Sequence, residues 1–199
     1  GGWISVSNIV SPLMNYIDRF LLGIMLSAAA VTYYVTPQEL VLRLGIVPSA
    51  VATVLFPIFA RHAASGEDRG SAHFWRPTLL IFAMMLPLTI VLLLFAEPLL
   101  ALWISPGFAD RSAGILQIMA VAALASGLAQ VPFTLLQGRG RADITAKLHL
   151  IEFPLYLGLL YLLVMQYGAI GAAWAWLGRI LADMLVLYFL AMPANKSKS

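Results

Sequence analysis

Seven ionisable residues fall inside segments that are otherwise almost wholly apolar: Asp18 and Arg19, Glu39 and Arg43, Glu152, and Arg179 with Asp183. An ionisable group at membrane depth costs about 2.5–3.5 kcal/mol on insertion scales, so such groups persist where they face protein or water. Their spacing narrows what they can do. Glu39 and Arg43 are four apart, as are Arg179 and Asp183, which puts each pair on one helix face where the partners can neutralise each other. Asn8, Ser11, Asn15 and Asp18 recur at three or four residues and form one polar stripe. Thr36, Glu39 and Arg43 continue the theme, then Gln130, Thr134 and Gln137, then His149, Glu152 and Tyr156.

Two chemistries fit this pattern. In one, the charged pairs only lock helices together. In the other they line a hydrated, partly cationic cavity that accepts an anionic or polyhydroxylated head group. Arg43, Arg179, Arg19 and Asn15 would then bind it, while Asp18, Glu39, Asp183 and Glu152 balance charge or couple an ion. Polar stripes on five of six apolar segments exceed what helix packing requires, which favours the cavity.

Enzymatic chemistry finds thin support. His62 and His73 share a loop with Glu67 and Asp68 and read as solvated groups, and His149 with Glu152 reads as a satisfied interfacial pair. There is no paired-aspartate motif, no serine-histidine-aspartate constellation and no Walker-type glycine loop. Gly138-Arg139-Gly140-Arg141 is a basic turn that sets topology or touches anionic lipid head groups. With no cysteine, disulfides and thiolate chemistry are excluded. No cofactor, metal or nucleic acid is expected.

The elements that must carry these residues are transmembrane helices. The chain is 61% hydrophobic and 11% charged, against roughly half and a quarter in soluble domains. Stretches free of acidic and basic residues run over 20–38, 77–96, 113–138 and 153–178, each long enough to cross a hydrocarbon core of roughly 30 Å. Apolar runs between polar breaks predict an all-α integral membrane protein. Residues 1–199 make one six-transmembrane-helix bundle with spans near 3–25, 33–60, 77–97, 113–136, 148–166 and 170–192. The third span lacks a polar stripe and is expected to face lipid. Prolines inside the spans (Pro12, Pro48, Pro87, Pro132, Pro154) can bend them or reflect ordinary enrichment. The opening Gly1-Gly2-Trp3, at the edge of an apolar segment and without methionine, leads us to expect a fragment with sequence upstream.

From Asn15 to Arg61 the sequence reads NYIDRFLLG, then after Ile24-Met25 LSAAAVTYY, then after Val35 TPQELVLRLGIVPSAVATVLFPIFAR. It resembles the seventh and eighth transmembrane helices of O-antigen-type polysaccharide-biosynthesis flippases, within the multidrug/oligosaccharidyl-lipid/polysaccharide (MOP) exporter superfamily. The resemblance implies the second of two six-helix lobes around a central cavity, working by alternating access in the bacterial inner membrane. It implies a polyprenyl-pyrophosphate-linked oligosaccharide as substrate. The partners implied are membrane lipid, an N-terminal six-helix lobe missing from this chain, and the polysaccharide polymerase machinery. The lipid II flippases share the architecture, but their tyrosine-alanine-aspartate-arginine run is replaced here by Tyr34-Val35-Thr36-Pro37. Multidrug exporters of the superfamily are less similar in this segment. A membrane enzyme acting on polyprenyl-linked sugars and a non-transporting scaffold are the remaining alternatives.

Arginine and lysine collect on the cytoplasmic side of membrane proteins. One set of loops holds Arg61, Arg69, Arg76, Arg139, Arg141, Lys147, Lys196 and Lys198, and the opposite set holds Arg111. Both termini are therefore expected in the cytoplasm. Tags placed after Ser199 or within 66–70 should be shielded from an impermeant reagent in intact cells, and a tag at Gly107 should be labelled. Protection of the Gly107 site would reverse the orientation.

Overall fold

The computed structural model describes the backbone of residues 2–65 and 70–192, and the side chains of 9, 10, 12–14, 16–65 and 74–192. It consists of α1 (Gly2–Met25), α2 (Ala28–Leu44), α3 (Ile46–Ser65), α4 (Gly70–Trp103), α5 (Pro106–Gly138), α6 (Ala142–Tyr167) and α7 (Ala169–Ala191). Helix starts follow local chemistry. The Ser27 hydroxyl accepts from the Ala30 amide at 3.2 Å, and Ser105, followed by Pro106 in the first turn, accepts from the Phe108 amide at 3.3 Å. Between α6 and α7 the chain reverses at Gly168, whose φ of +64° a side chain would strain. Gly171 then lies so near the Leu163 carbonyl that a Cβ would overlap it, which lets α6 and α7 close into a tight hairpin.

The second span of the sequence reading, 33–60, is delivered as two helices. Pro48 has no amide hydrogen for the Leu44 carbonyl, and the chain breaks between Leu44 and Ile46. Gly45 bridges the gap, donating to the Leu42 carbonyl and accepting from Ser49, whose hydroxyl also reaches its carbonyl at 2.7 Å. Among the described residues there are seven helices, and five segments are long and apolar enough to cross a membrane: the continuous run Ala28–Ser65, Phe74–Trp103, Pro106–Gly138, Ala142–Tyr167 and Ala169–Ala191. A second kink, at Phe95 (φ −119°, ψ 15°), precedes Pro98 by three residues.

Other prolines do something different. Pro37 leaves the Tyr33 carbonyl without its helical donor, and the Ser112 hydroxyl of α5 donates to it at 3.1 Å. Pro132 does the same to Leu128, whose carbonyl accepts from the Tyr188 hydroxyl of α7 at 3.2 Å. In lipid a freed carbonyl has no water to turn to, so these prolines create docking points between helices.

The core is organised around α5, which packs against α2, α3, α4, α6 and α7. Its buried face is built from small residues, Ala120, Ala122, Ala123, Ala125, Gly127 and Ala129, that let neighbouring backbones approach. Met119, Leu116, Ile81, Met85, Leu160 and Trp176 fill the space between. α1 packs across α2, α6 and α7. As expected, the third span (α4) lies at the periphery: one face rests on α5, while Leu79, Leu88, Leu94 and Leu102 are exposed. Such surfaces are stable in hydrocarbon and would aggregate in water. The chain is an all-α, multi-pass integral membrane protein.

Candidate functional site

Among the described residues, two groups of charged and polar side chains stand out in the interior. The first surrounds Asp18 of α1, which has no exposed surface. Its Oδ2 accepts from the Tyr34 hydroxyl, from Gln38 Nε2 at 2.8 Å and, more weakly, from the Tyr156 hydroxyl at 3.5 Å. Its Oδ1 accepts from the Arg19 amide at 2.8 Å. Donors from α2 and α6 therefore converge on one carboxyl group of α1. Gln38 passes the connection outward, its Oε1 accepting from Arg19 Nε at 2.7 Å, and Arg19 Nη2 pairs with Glu39 Oε1 at 2.6 Å. Arg19 also stacks over the Tyr16 ring at 4.6 Å. Glu39 is half-exposed, so this chain runs from dry interior to surface.

The second group lies between α6 and α7. His149 Nε2 is 3.9 Å from Asp183 Oδ1, and its ring stacks on Phe133 of α5 with centroids 6.0 Å apart. Glu152 is 9% exposed, and neither carboxylate oxygen finds a hydrogen bond among the described residues; His149 Nδ1 and Trp176 Nε1 share that condition. The Arg179 guanidinium sits over the Tyr156 ring at 5.3 Å and acts electrostatically on His149, Glu152 and Asp183. Tyr156 joins the two groups, its hydroxyl turned to Asp18 and its face to Arg179. A cavity of about 180 Å³ opens beside the second group. Gly45 and Pro48 at the α2/α3 break, Gln130 and Phe133 of α5, His149, and Arg179 with Asp183 all line it.

A ligand atom from each of His149, Glu152 and Asp183 lies within 4.8 Å of the others, a set of donors suited to a small cation. A cation there would share its surroundings with Arg179. Among the described residues of this second group, Glu152 and Asp183 face the single guanidinium of Arg179, and a buried carboxylate without a partner must be neutralised by a proton or a cation.

The residues singled out in the sequence separate into three sets. Asp18, Arg19 and Glu39 fall in one network, and Glu152, Arg179 and Asp183 in another. Arg43 joins neither: it is exposed on α2, with no ion pair among the described residues. The expected pairing of Glu39 with Arg43 is replaced by Glu39 with Arg19. The physical reason is the face of α2 that turns inward, which carries Tyr34, Pro37, Gln38 and Val41 rather than Thr36, Glu39 and Arg43. On that face Tyr34 and Gln38 donate to Asp18, where an acid in either position would repel it. Gln38 escaped notice in the sequence, although its four-residue spacing from Tyr34 was visible. Asn15, with Asn8, Ser11, Glu67, Asp68 and His73, lies outside the residues whose side chains are described. The polar stripe of α5 is partly self-contained, since the Thr134 hydroxyl donates to the Gln130 carbonyl of its own helix at 2.7 Å.

Comparison with known proteins places this geometry. Residues 3–199 match the model of the family described as lipid II flippase MurJ. A protein of Shigella flexneri provisionally named an O-antigen transporter is 36% identical over 190 residues, covering 96% of this chain and 45% of that protein. Two solved structures share the fold. A MOP superfamily transporter from Pyrococcus furiosus aligns with TM-score 0.71 and 21% identity over 94% of this chain and 42% of its own. An outward-facing multidrug resistance transporter of the MATE family, also of the MOP superfamily, aligns with TM-score 0.72 and 20% identity over 99% and 47%. The chain thus spans just under half the length of each relative.

If Asp18 is the acceptor that ties α1 to α2, Tyr34→Phe should lower the unfolding free energy by about 1–2 kcal/mol. In an Asp18→Asn background the same change should have a much smaller effect. Reversible unfolding in mixed micelles, run as a double-mutant cycle, measures the coupling. Strict additivity would mean that Tyr34 contributes packing alone.

Proposed function

The chain belongs to the lipid II flippase MurJ family, whose members are transporters and not enzymes, and from that premise we propose that it forms one six-helix lobe of a flippase for a polyprenyl-pyrophosphate-linked oligosaccharide. The observation that carries this reading is the buried group of Arg179, His149, Glu152 and Asp183 beside a cavity at membrane depth. Ionisable groups are kept there at high cost, which speaks for a polar passenger or a coupled ion. Arg179 supplies a fork of donors matched to phosphate oxygens. Glu152 and Asp183 supply the counter-charge that resets when the passenger leaves, by taking up a proton or a small cation. Arg43, exposed on α2, would meet the head group from the surface that a second lobe faces.

The 36% identity to the Shigella flexneri protein over nearly the whole chain supports an O-antigen-type glycan as the passenger. Lipid II is the second reading, favoured by the matching family model. Both passengers present a pyrophosphate and sugars to the cavity and leave the prenyl tail in lipid. The lobe would work with a second six-helix lobe, rocking about the cavity to expose it to each side of the bacterial inner membrane in turn. The polysaccharide polymerase machinery would take up the product.

The Arg179 and Asp183 pair tests the binding role. Leaving either charge alone in the interior costs about 3–5 kcal/mol, whereas removing both can be neutral. Arg179→Leu and Asp183→Leu should each lower the amount of protein in the membrane, and the double variant should regain abundance without regaining glycan export. Full export by the double variant would return both residues to packing.

A further inference from the structure

A separate groove runs down the outer surface of the bundle, where α4, α5 and α7 meet. It measures about 490 Å³, within the roughly 300–1,000 Å³ of small-molecule clefts. Its walls are Leu79 and Phe82 of α4, Leu128 of α5 and Tyr188 of α7, with Trp75 and Arg76 at one end. These last two residues lie at the start of the apolar run Phe74–Trp103, the level at which a membrane changes from head groups to hydrocarbon. Leu79 and Phe82 follow one and two turns deeper, about 9 Å in all at 1.5 Å per residue. The groove therefore begins at the interface with a cation and an indole and continues into hydrocarbon with apolar walls.

Its rim is firmly held. Tyr188 packs edge-on against Phe74 at 5.5 Å and lies 6.3 Å from Trp75. Its hydroxyl donates to the Leu128 carbonyl, the acceptor that Pro132 leaves without a helical partner. A wall fixed by an interhelical hydrogen bond keeps its shape whether or not anything lies against it. Arg76 is exposed at the mouth, and Trp75 is half-exposed beside it.

We propose that this groove binds one anionic phospholipid, with the phosphate held by Arg76 beside Trp75 and one acyl chain laid between Leu79, Phe82 and Leu128. Charge complementarity selects the occupant. An exposed guanidinium at the interface gains from an anionic head group and little from a zwitterionic one, and an apolar transmembrane helix covering the groove would bury that charge. The groove shares no lining residue with the cavity beside Glu152, so it neither depends on the flippase reading nor contributes to it.

Native mass spectrometry of the intact chain in mild detergent, with phosphatidylglycerol or phosphatidylcholine of the same acyl chains added, provides the test. One phosphatidylglycerol should be retained per chain, in preference to phosphatidylcholine. Arg76→Gln should lower that retention about fivefold, the worth of roughly one interfacial charge. Leu79→Trp, which fills the groove and keeps the charge, should lower it as well, while Arg61→Gln, an exposed basic change away from the groove, should leave it intact. Arg76→Lys should retain most of the binding and so separates charge from folding. Equal retention of the two lipids, no effect of Leu79→Trp, or equal losses from Arg61→Gln and Arg76→Gln would overturn the proposal.

Discussion

A carboxyl group that water cannot reach must find its partners inside the protein, and Asp18 finds them on two other helices. Tyr34 and Gln38 come from α2 and Tyr156 from α6. Since apolar side chains gain nothing by leaving lipid tails for each other, small-residue packing and such bonds hold membrane helices together. The Asp18 network therefore decides where α1 sits, and α1 in turn closes the bundle over α6 and α7. Prolines extend the same logic. By stripping Tyr33 and Leu128 of their helical donors, Pro37 and Pro132 oblige α5 and α7 to supply hydroxyls, and the bundle gains two more fixed points.

Against that satisfied network stands the group around Glu152, where both Glu152 oxygens, His149 Nδ1 and Trp176 Nε1 find no hydrogen bond among the described residues. The contrast is informative because both groups lie at membrane depth and share Tyr156. One is complete and gains nothing from a ligand. The other adjoins a cavity and carries more acid than base, a condition that a passing anion on Arg179 or a proton on Glu152 would alter. Tyr156 is the physical link through which such a change could be felt at Asp18, with its ring under the guanidinium and its hydroxyl on the carboxyl group.

Much of this was legible in the sequence, and the failures are specific. Long uncharged stretches gave the membrane fold, and Asp18 of α1, Glu152 of α6 and Arg179 with Asp183 of α7 turn into the bundle. On α2 the same rule chose the wrong face. Charge was taken as the mark of the interior, yet the inward positions are Tyr34 and Gln38, whose hydroxyl and amide donate to Asp18. Arg43 and Glu39 turn outward, where each can reach water or another surface. Periodicity also missed the break at Gly45, since the apolar pattern continues unbroken through it and only Pro48 betrays the missing hydrogen bond.

Asp18 ties three helices together, and Glu152 is the carboxyl group left for the proposed transport. The most direct test compares thermal unfolding of Asp18→Asn and Glu152→Gln, prepared side by side in the same detergent, with glycan export scored for both. Replacing a satisfied acceptor should lower the unfolding midpoint, whereas replacing a buried carboxyl group that lacks partners should leave it unchanged or raise it, with export lost. A Glu152→Gln protein that unfolds as early as Asp18→Asn would contradict the account, because Glu152 would then be a structural tie like the other.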